Sequence, residues 1–385
     1  MQNERKRILA MLENGTITTD EALTLLEKLG QSQNETKPAR DDYTSAEHVE
    51  EPSPFEEEKG GPYRKGHTVD DFLEDLRRDF TNVSDRFMQF MQTAVHKVKS
   101  FDFDTPFGNA VMFTHSMSMP STGIKEIVLD IDNGKVAVTR STTDEVQAEF
   151  HVKTYNSESE ETAKQDFLDK LIFLNDHGKL RIMSDLKMTQ VNVDLQIPAN
   201  EYDVIAAKLL NGSFTLQDLH AKTLRIKTGN GKVEMSGIAF QEADLETANG
   251  SIHLNGVSGT KLEAETLNGR VYIDGAIKEV EAQSLNGHVV VTTTDSEAQR
   301  IEAKSMSGSI EIYIPSDIGL TGEVSSSMGR LDLQLKDIDR TVEQEQLFHK
   351  SIRFKKEGTG TSAPLHISGE AKTGSVLVCY NAKHE

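Results

Sequence analysis

The sequence predicts a mainly β protein: a parallel β solenoid, β-helix-like, with coils of about 19 residues centred on Asn-Gly. A helical hairpin, a disordered tether and one long amphipathic helix are expected ahead of it. Three observations carry this reading. Gly212, Gly231, Gly250, Gly269, Gly287, Gly308 and Gly329 are separated by 19, 19, 19, 18, 21 and 21 residues, a period that marks stacked supersecondary units. Five of the seven follow asparagine: Asn211, Asn230, Asn249, Asn268 and Asn286. The positions two and four after each glycine are apolar throughout, from Phe214 and Leu216 to Leu331 and Leu333. Upstream, the residue five before each glycine is Ala207, Ile226, Leu245, Ala264, Ala282, Ala303 or Val324, alternating with polar neighbours as a half-buried strand requires.

Each unit therefore reads as strand, Asn-Gly bend, strand and variable return. Asn-Gly also favours type I′ hairpin turns. Stacked coils are preferred because period and register persist through seven units, which pairs each strand with its equivalent one coil on.

In chain order, residues 1–30 read as a helical hairpin. Ile8, Leu9 and Leu12 share one face before Asn14-Gly15 stops the first helix. Thr18 with Glu21 matches a capping box, and Leu23, Leu26 and Leu29 form the apolar stripe of the second. Helices this short bury little surface, so Leu23 and Leu26 are candidate contacts for self-association or a protein partner. Residues 31–66 carry Glu50, Glu51, Glu56, Glu57 and Glu58 among Pro52, Pro54 and Gly60-Gly61, a composition expected to stay a disordered acidic linker.

Residues 67–103 hold the long amphipathic helix, in which Leu76, Phe80, Val83, Phe87, Phe90 and Ala94 recur at spacings of four and three. Three partners suit this seam: the end of the solenoid, another helix in a coiled coil, or a membrane surface met by Phe80, Phe87 and Phe90. Asp70, Asp71, Glu74, Asp75 and Asp79 oppose anionic lipid, whereas Lys97 and Lys99 do not. The solenoid is expected over 121–384, with an outlying copy of the unit at Glu126–Thr139 before the regular coils and another at Ile367–Tyr380 after them. Asp337–Thr361 lacks the pattern and reads as an insertion or loop, its Lys350, Arg353, Lys355 and Lys356 solvated.

Two polar files follow the period. Thr228, Thr247, Thr266, Ser284, Ser305 and Ser326 stand three residues before the glycines, on the core side by parity. Hydroxyls stacked there would satisfy backbone groups that the bend leaves unpaired. Asp244, Glu263, Glu281, Glu302 and Glu323 stand six before, facing outward, with Glu246 and Glu265 beside part of the file. Stacked like charges cost stability unless lysines or cations screen them, so this file is read as a solvated face, with a basic partner or divalent cations as the sharper alternative.

Composition narrows the function. A net charge of -20 and a pI near 5.1 oppose nucleic-acid binding through phosphate contacts. The single cysteine, Cys379, permits no intrachain disulfide, fits a reducing compartment, and reads as a buried small side chain in a strand. No stretch approaches an apolar membrane span, and the polar N-terminus does not read as an export signal, so a cytoplasmic location is expected. No phosphate loop, zinc spacing or HExxH is present, and the 12 histidines are scattered. No catalytic residue, cofactor or metal is therefore assigned. A polysaccharide-active β-helix enzyme would need carboxylates such as the acid file supplies. Against it, only Tyr272 faces outward among the central coils to stack on a sugar ring.

The Thr-x-Asn-Gly coils, Thr247-Ala248-Asn249-Gly250 and Thr266-Leu267-Asn268-Gly269, resemble the bacterial β-strand-repeat family labelled "putative adhesin", and specifically its YvlB-type members. The opening run Ile8 to Thr18 is similar to short oligomerisation-type helical modules of bacterial proteins. The resemblance spans nearly the whole chain and implies architecture, with no catalytic residues to carry over. Its adhesin label implies a cell-surface position, from which this sequence departs by lacking an export signal. The envelope-stress association of some relatives implies a role near the inner face of the membrane. The function expected is a non-enzymatic scaffold acting by protein association, with peripheral membrane binding as the alternative.

Overall fold

A computed structural model describes residues 110–155, 157–186, 188–346, 349–358 and 363–381. The expected hairpin, tether and amphipathic helix lie outside these residues. The described chain opens with β1 (Val111–Pro120), β2 (Glu126–Asn133), β3 (Val136–Arg140) and β4 (Glu145–Thr154). Helix α1 (Glu160–Lys170), β5 (Ile172–Asp176), β6 (Lys179–Ser184) and β7 (Thr189–Ile197) follow. The regular units are β8 (Glu201–Asn211), β9 (Phe214–Gln217), β10 (His220–Asn230), β11 (Val233–Ser236), β12 (Ala239–Asn249), β13 (Ile252–Asn268), β14 (Val271–Asn286), β15 (Val289–Thr293), β16 (Arg300–Ser307) and β17 (Ile310–Ile314). The chain ends with β18 (Leu320–Ser326), β19 (Leu331–Gln334), β20 (Asp339–Gln346), β21 (His349–Lys356), β22 (Leu365–Ala371) and β23 (Val376–Tyr380).

The strands before and after the bends form two parallel files. Upstream of the bend, β6, β2, β8, β10, β12, and the C-terminal halves of β13 and β14 pair in sequence, followed by β16, β22 and β18. Downstream, β7, β3, β9, β11, the starts of β13 and β14, β15, β17, β23 and β19 do the same. Parallel pairing excludes the run of hairpins. Alternation places Leu224, Ile226, Val233 and Met235, and their equivalents in the neighbouring coils, in one continuous buried core.

The Asn-Gly corner is built by stacking. Gly212, Gly231, Gly250, Gly269 and Gly287 donate their N–H to the Asn or Ser carbonyl of the next coil at 2.8–3.2 Å. Thr228, Thr247, Thr266, Ser284 and Ser305 each donate a hydroxyl to the glycine carbonyl of the preceding coil at 2.9–3.0 Å. A Cβ on any of these glycines would fall well under 3.0 Å from the carbonyl oxygen of the glycine below, so the residue is required by close approach and not by backbone sign. Outside the corner the asparagines form an amide ladder, each side-chain amide from Asn211 to Asn286 donating to the previous amide oxygen at 2.7–2.9 Å.

Several expectations need correction. The unit at Ile367–Tyr380 does not follow the regular coils: β22 and β23 lie between β16–β17 and β18–β19. The unit at Glu126–Thr139 stacks directly on the Gly212 coil, and β6–β7 stack beyond it. Asp337–Thr361 is no simple loop, because β20 and β21 form an antiparallel hairpin on β18. Its Lys350, Arg353 and Lys355 are exposed, as expected, with Arg353 also meeting Glu323 at 3.0 Å; Lys356 is half-buried, donating to the Ser316 carbonyl at 2.6 Å and the Tyr380 hydroxyl at 3.0 Å. Cys379 is half-buried on the outward side of β23, not in the core, and burial pushes its thiol up, away from reactivity.

Helix α1 was not anticipated. Ser159 caps it by accepting from the Thr162 N–H, and Glu160 and Glu161 favour its first turn. It buries Ala163 and Phe167, the latter edge-on to Phe113 and Phe150 at 5.7 and 5.6 Å. Antiparallel β5 covers β6, and β4 with β1 covers β7, so the N-terminal end of both files is closed by strands of reversed direction.

Candidate functional site

The outward side of the upstream file is the candidate site, because the periodic side chains not used in the core or the corner converge there. Register aligns Arg225, Asp244, Glu263, Glu281 and Glu302 in one row. Ser368 of β22 then separates Glu302 from Glu323, so the expected acid file is broken where the C-terminal unit enters. A second row, two residues on, reads Lys208, Lys227, Glu246, Glu265, Gln283 and Lys304.

The acids are screened within the sheet. Lys261 meets Glu263 at 2.5 Å, Arg300 pairs with Glu302, and Lys304 stands 3.9 Å from Glu281 and 4.0 Å from Glu302. Gln283 donates to Glu281 at 2.6 Å. These pairs supply the counter-charge for which cations were the alternative. Among the described residues, no group of three or more His, Cys, Asp or Glu side chains is placed to hold a metal ion.

At the N-terminal end of the rows the expected solvated face is not found. Lys227 and Glu246 pair at 3.0 Å with side chains only 10% and 8% exposed. Burial, reinforced by Glu246, pushes the Asp244 carboxyl well above the usual carboxylate range, with Lys227 opposing. Burial also lifts Glu265 to about 7, with the charges of Glu246, Glu281 and Glu263 adding to it. The file is thus graded: burial pushes the carboxyls up at Asp244 and Glu265, while Glu281 and Glu302 are ion-paired.

Leu23, Leu26, Phe80, Phe87 and Phe90, the remaining candidate contacts, lie outside the described residues. His253 stacks on Tyr272 at 4.7 Å on the outward side of the downstream file, a pairing one period apart that the sequence reading did not join. A second corner also went unread: Asp218, Gly237 and Gly256, spaced by the same 19 residues, all adopt positive φ of 55–63°. The 19-residue spacing of these three positions is the signal that marks it in the sequence. Among the described residues no helix is long and apolar enough to cross a membrane.

The family model described as Toastrack DUF4097 matches residues 124–358, and a SHOCT-like domain model matches residues 3–34. The chain is 34% identical over 391 residues to the Bacillus subtilis (strain 168) protein YvlB, itself described as uncharacterized, covering 100% of both. Among solved structures, a "putative adhesin" from Bacteroides fragilis matches 70% of this chain and 97% of its own at 12% identity and a TM-score of 0.39. A "putative lipid binding protein" from Parabacteroides distasonis matches 69% of this chain and 96% of its own at 13% identity and a TM-score of 0.38.

Proposed function

Since the chain belongs to the Toastrack DUF4097 family, we propose that it works without catalysis, as a rigid scaffold whose function is protein association or self-association. The observation that carries the proposal is the use made of the periodic polar groups. Hydroxyls and amides bond to the neighbouring coil, and the acids of the open end pair with Lys261, Arg300 and Lys304. A catalytic carboxylate pair needs two acids held in different protonation states around a bound substrate. The ion-paired acids from Glu263 to Glu302 offer a long ionic surface in fixed register, suited to reading a partner with its own periodic charge. The inner face of the bacterial membrane is the location proposed, supported by the envelope-stress association that the family resemblance implies.

Truncation of residues 1–66 followed by light scattering tests the association. The expected result is a smaller assembly or a lost partner, and an unchanged oligomeric state with unchanged partners would remove the hairpin from the proposal. Affinity capture from cytoplasmic and membrane fractions with Glu281→Lys/Glu302→Lys as control tests the ionic surface, which predicts a partner lost on charge reversal. A polysaccharide cleavage panel addresses the enzymatic reading. Product formation abolished by Glu263→Gln or Glu281→Gln would overturn the scaffold.

A further inference from the structure

Among the described residues, four strands end the two files: β5 and β1 at the N-terminal end, β20 and β19 at the other. Three of them are guarded against further pairing. β5 is five residues long and closes on Asp176, which pairs with Arg181 at 3.2 Å. β19 is four residues long, and Arg340 donates to its Leu333 carbonyl at 2.7 Å. β20 has the sequence DRTVEQEQ, charged at half its positions. β1 is the exception. It runs for ten residues, VMFTHSMSMP, without an Asp, Glu, Lys or Arg, and among the described residues it pairs with β4 alone. On its outward side Met112 is 66% exposed, and Thr114, Ser116 and Ser118 are exposed as well. On its inward side Phe113 is buried, while Val111, Met117 and Met119 pack on the core and stay partly exposed. A long uncharged edge is a template for another strand, which proteins ordinarily blunt with charge, proline or brevity.

We propose that β1 is a dimer interface: the β1 strands of two copies of this chain pair antiparallel about a two-fold axis at His115, joining their downstream files into one sheet. The proposal rests on the self-association half of the function proposed above and gives it a surface. A two-fold interface must be self-complementary, and β1 has the same pattern from either end. On the inward side Val111 meets the partner's Met119, and Phe113 the partner's Met117. On the outward side Met112 meets the partner's Ser118, and Thr114 the partner's Ser116. Only registers that set odd positions against odd keep the apolar row inward on both copies. Centring on His115 then pairs every residue from Val111 to Met119 and leaves Pro120, which has no N–H to give, beyond the end. The neighbouring strand agrees. One row reads Lys153, Met112, the partner's Ser118 and the partner's Gln147, and the next reads His151, Thr114, the partner's Ser116 and the partner's Glu149, so like charges never share a row. The pairing forms about eight to ten main-chain hydrogen bonds between the copies. An extended peptide of another protein would fit the same edge, but a pattern symmetric about one residue is required only by a second copy.

Charge placement in the full chain tests the pairing, with light scattering as the readout and circular dichroism as the check on folding. Thr114→Lys/Ser116→Lys sets like charges directly opposite one another across the axis and is expected to lower the mass of the parent assembly about twofold. Thr114→Glu/Ser116→Lys adds as many charges but sets opposite signs together, and is expected to keep the parent mass. Cross-linking gives a readout independent of any assembly through the hairpin expected at residues 1–30. In a Cys379→Ser background, His115→Cys is expected to form a disulfide with its own copy under mild oxidation, because opposed Cα atoms in an antiparallel pair stand about 4.5–5.5 Å apart. Ser118→Cys is more exposed but lies about 20 Å from its copy in this register, and is expected to cross-link at least roughly tenfold more slowly. A monomeric parent overturns the proposal. So does an assembly unmoved by the two lysines, one lost equally in both double variants, or equal cross-linking at the two cysteines. If β1 stays unpaired while Glu281→Lys/Glu302→Lys still loses a captured partner, this interface falls and the scaffold stands.

Discussion

Replacing Thr247 by valine isolates the corner bond that defines this solenoid. The Thr247 hydroxyl donates to the Gly231 carbonyl at 2.9 Å, and the residue is 0% exposed. Valine keeps the shape and the β-branched rotamer, so packing is nearly conserved and what is lost is one hydrogen bond. The Gly231 carbonyl is then left facing Gly250, whose backbone packs too closely on it to admit water. An orphaned buried acceptor costs about 1–3 kcal/mol, so a loss of about 2 kcal/mol is expected, or roughly thirtyfold in the folded-to-unfolded ratio. Thr247→Ser retains the donor, as the file itself does at Ser284, Ser305 and Ser326. Thr215→Val, on the outward side of β9, removes an equivalent hydroxyl that has no corner role and is expected to change stability by less than about 0.5 kcal/mol. Urea unfolding with linear extrapolation gives the three values, and native-state hydrogen exchange at the Gly250 and Ile252 amides localises the effect. A Thr247→Val variant indistinguishable from Thr215→Val would refute the corner argument.

The two corners respond to different substitutions: Gly250→Ala places a Cβ into the Gly231 carbonyl and is expected to cost about 4 kcal/mol or more, whereas Gly256→Ala, with φ +61° and open space around it, is expected to cost about 1–2 kcal/mol, both read by urea unfolding. Lys227→Met alone removes the 3.0 Å partner of the buried Glu246 carboxylate and is expected to cost about 3–5 kcal/mol, while Lys227→Met/Glu246→Met recovers most of the loss in the same assay. Glu265, lifted by burial to about 7 from its ordinary 4.5, makes the folded chain the better proton binder, so its contribution is greatest below about pH 4.5, declines as pH rises to about 7 and is flat above. The full span is at most about 3 kcal/mol, and Glu265→Gln should flatten the stability–pH curve over that window relative to the parent, an unaltered slope counting against the buried assignment. Deleting the β20–β21 hairpin bares the edge of β18 and is expected to give concentration-dependent association by light scattering, which a deletion variant that stays dispersed would contradict.

The coils were legible because their inward positions obey two constraints at once. Val233, Met235 and their equivalents must be apolar to fill the core, and the Asn-Gly corner admits no Cβ, so the period survives in the sequence. Coil order was not legible. Thr373-Gly374 with Val376 and Val378 has the same local signature as any coil, and nothing within it records that β23 pairs with β17 on one side and β19 on the other. That choice is made by non-local pairing, which local pattern does not encode. Helix α1 escaped because only Ala163 and Phe167 are buried, too few to raise a helical period above its charged neighbours. Parity puts the acid file on the outward side of the sheet, but the burial of Asp244 and of the Lys227–Glu246 pair was not legible, because it depends on which coils neighbour one another and not on the pattern within one coil.

The division between inside and outside also says where function can reside. The central coils supply the same core positions, a hydroxyl from Thr228 to Ser305 and the same glycine, so these positions are fixed by stacking and leave no freedom for recognition. The outward rows carry no such constraint, yet they are not random. They run from Val128 and Ala206 through the buried Lys227–Glu246 pair to the open ionic rows around Glu281, Glu302 and Lys304. A face required only for solubility would be charged along its whole length, because uniform charge suffices to block edge and face association. The gradient therefore separates a surface built to be covered from one built to stay in water.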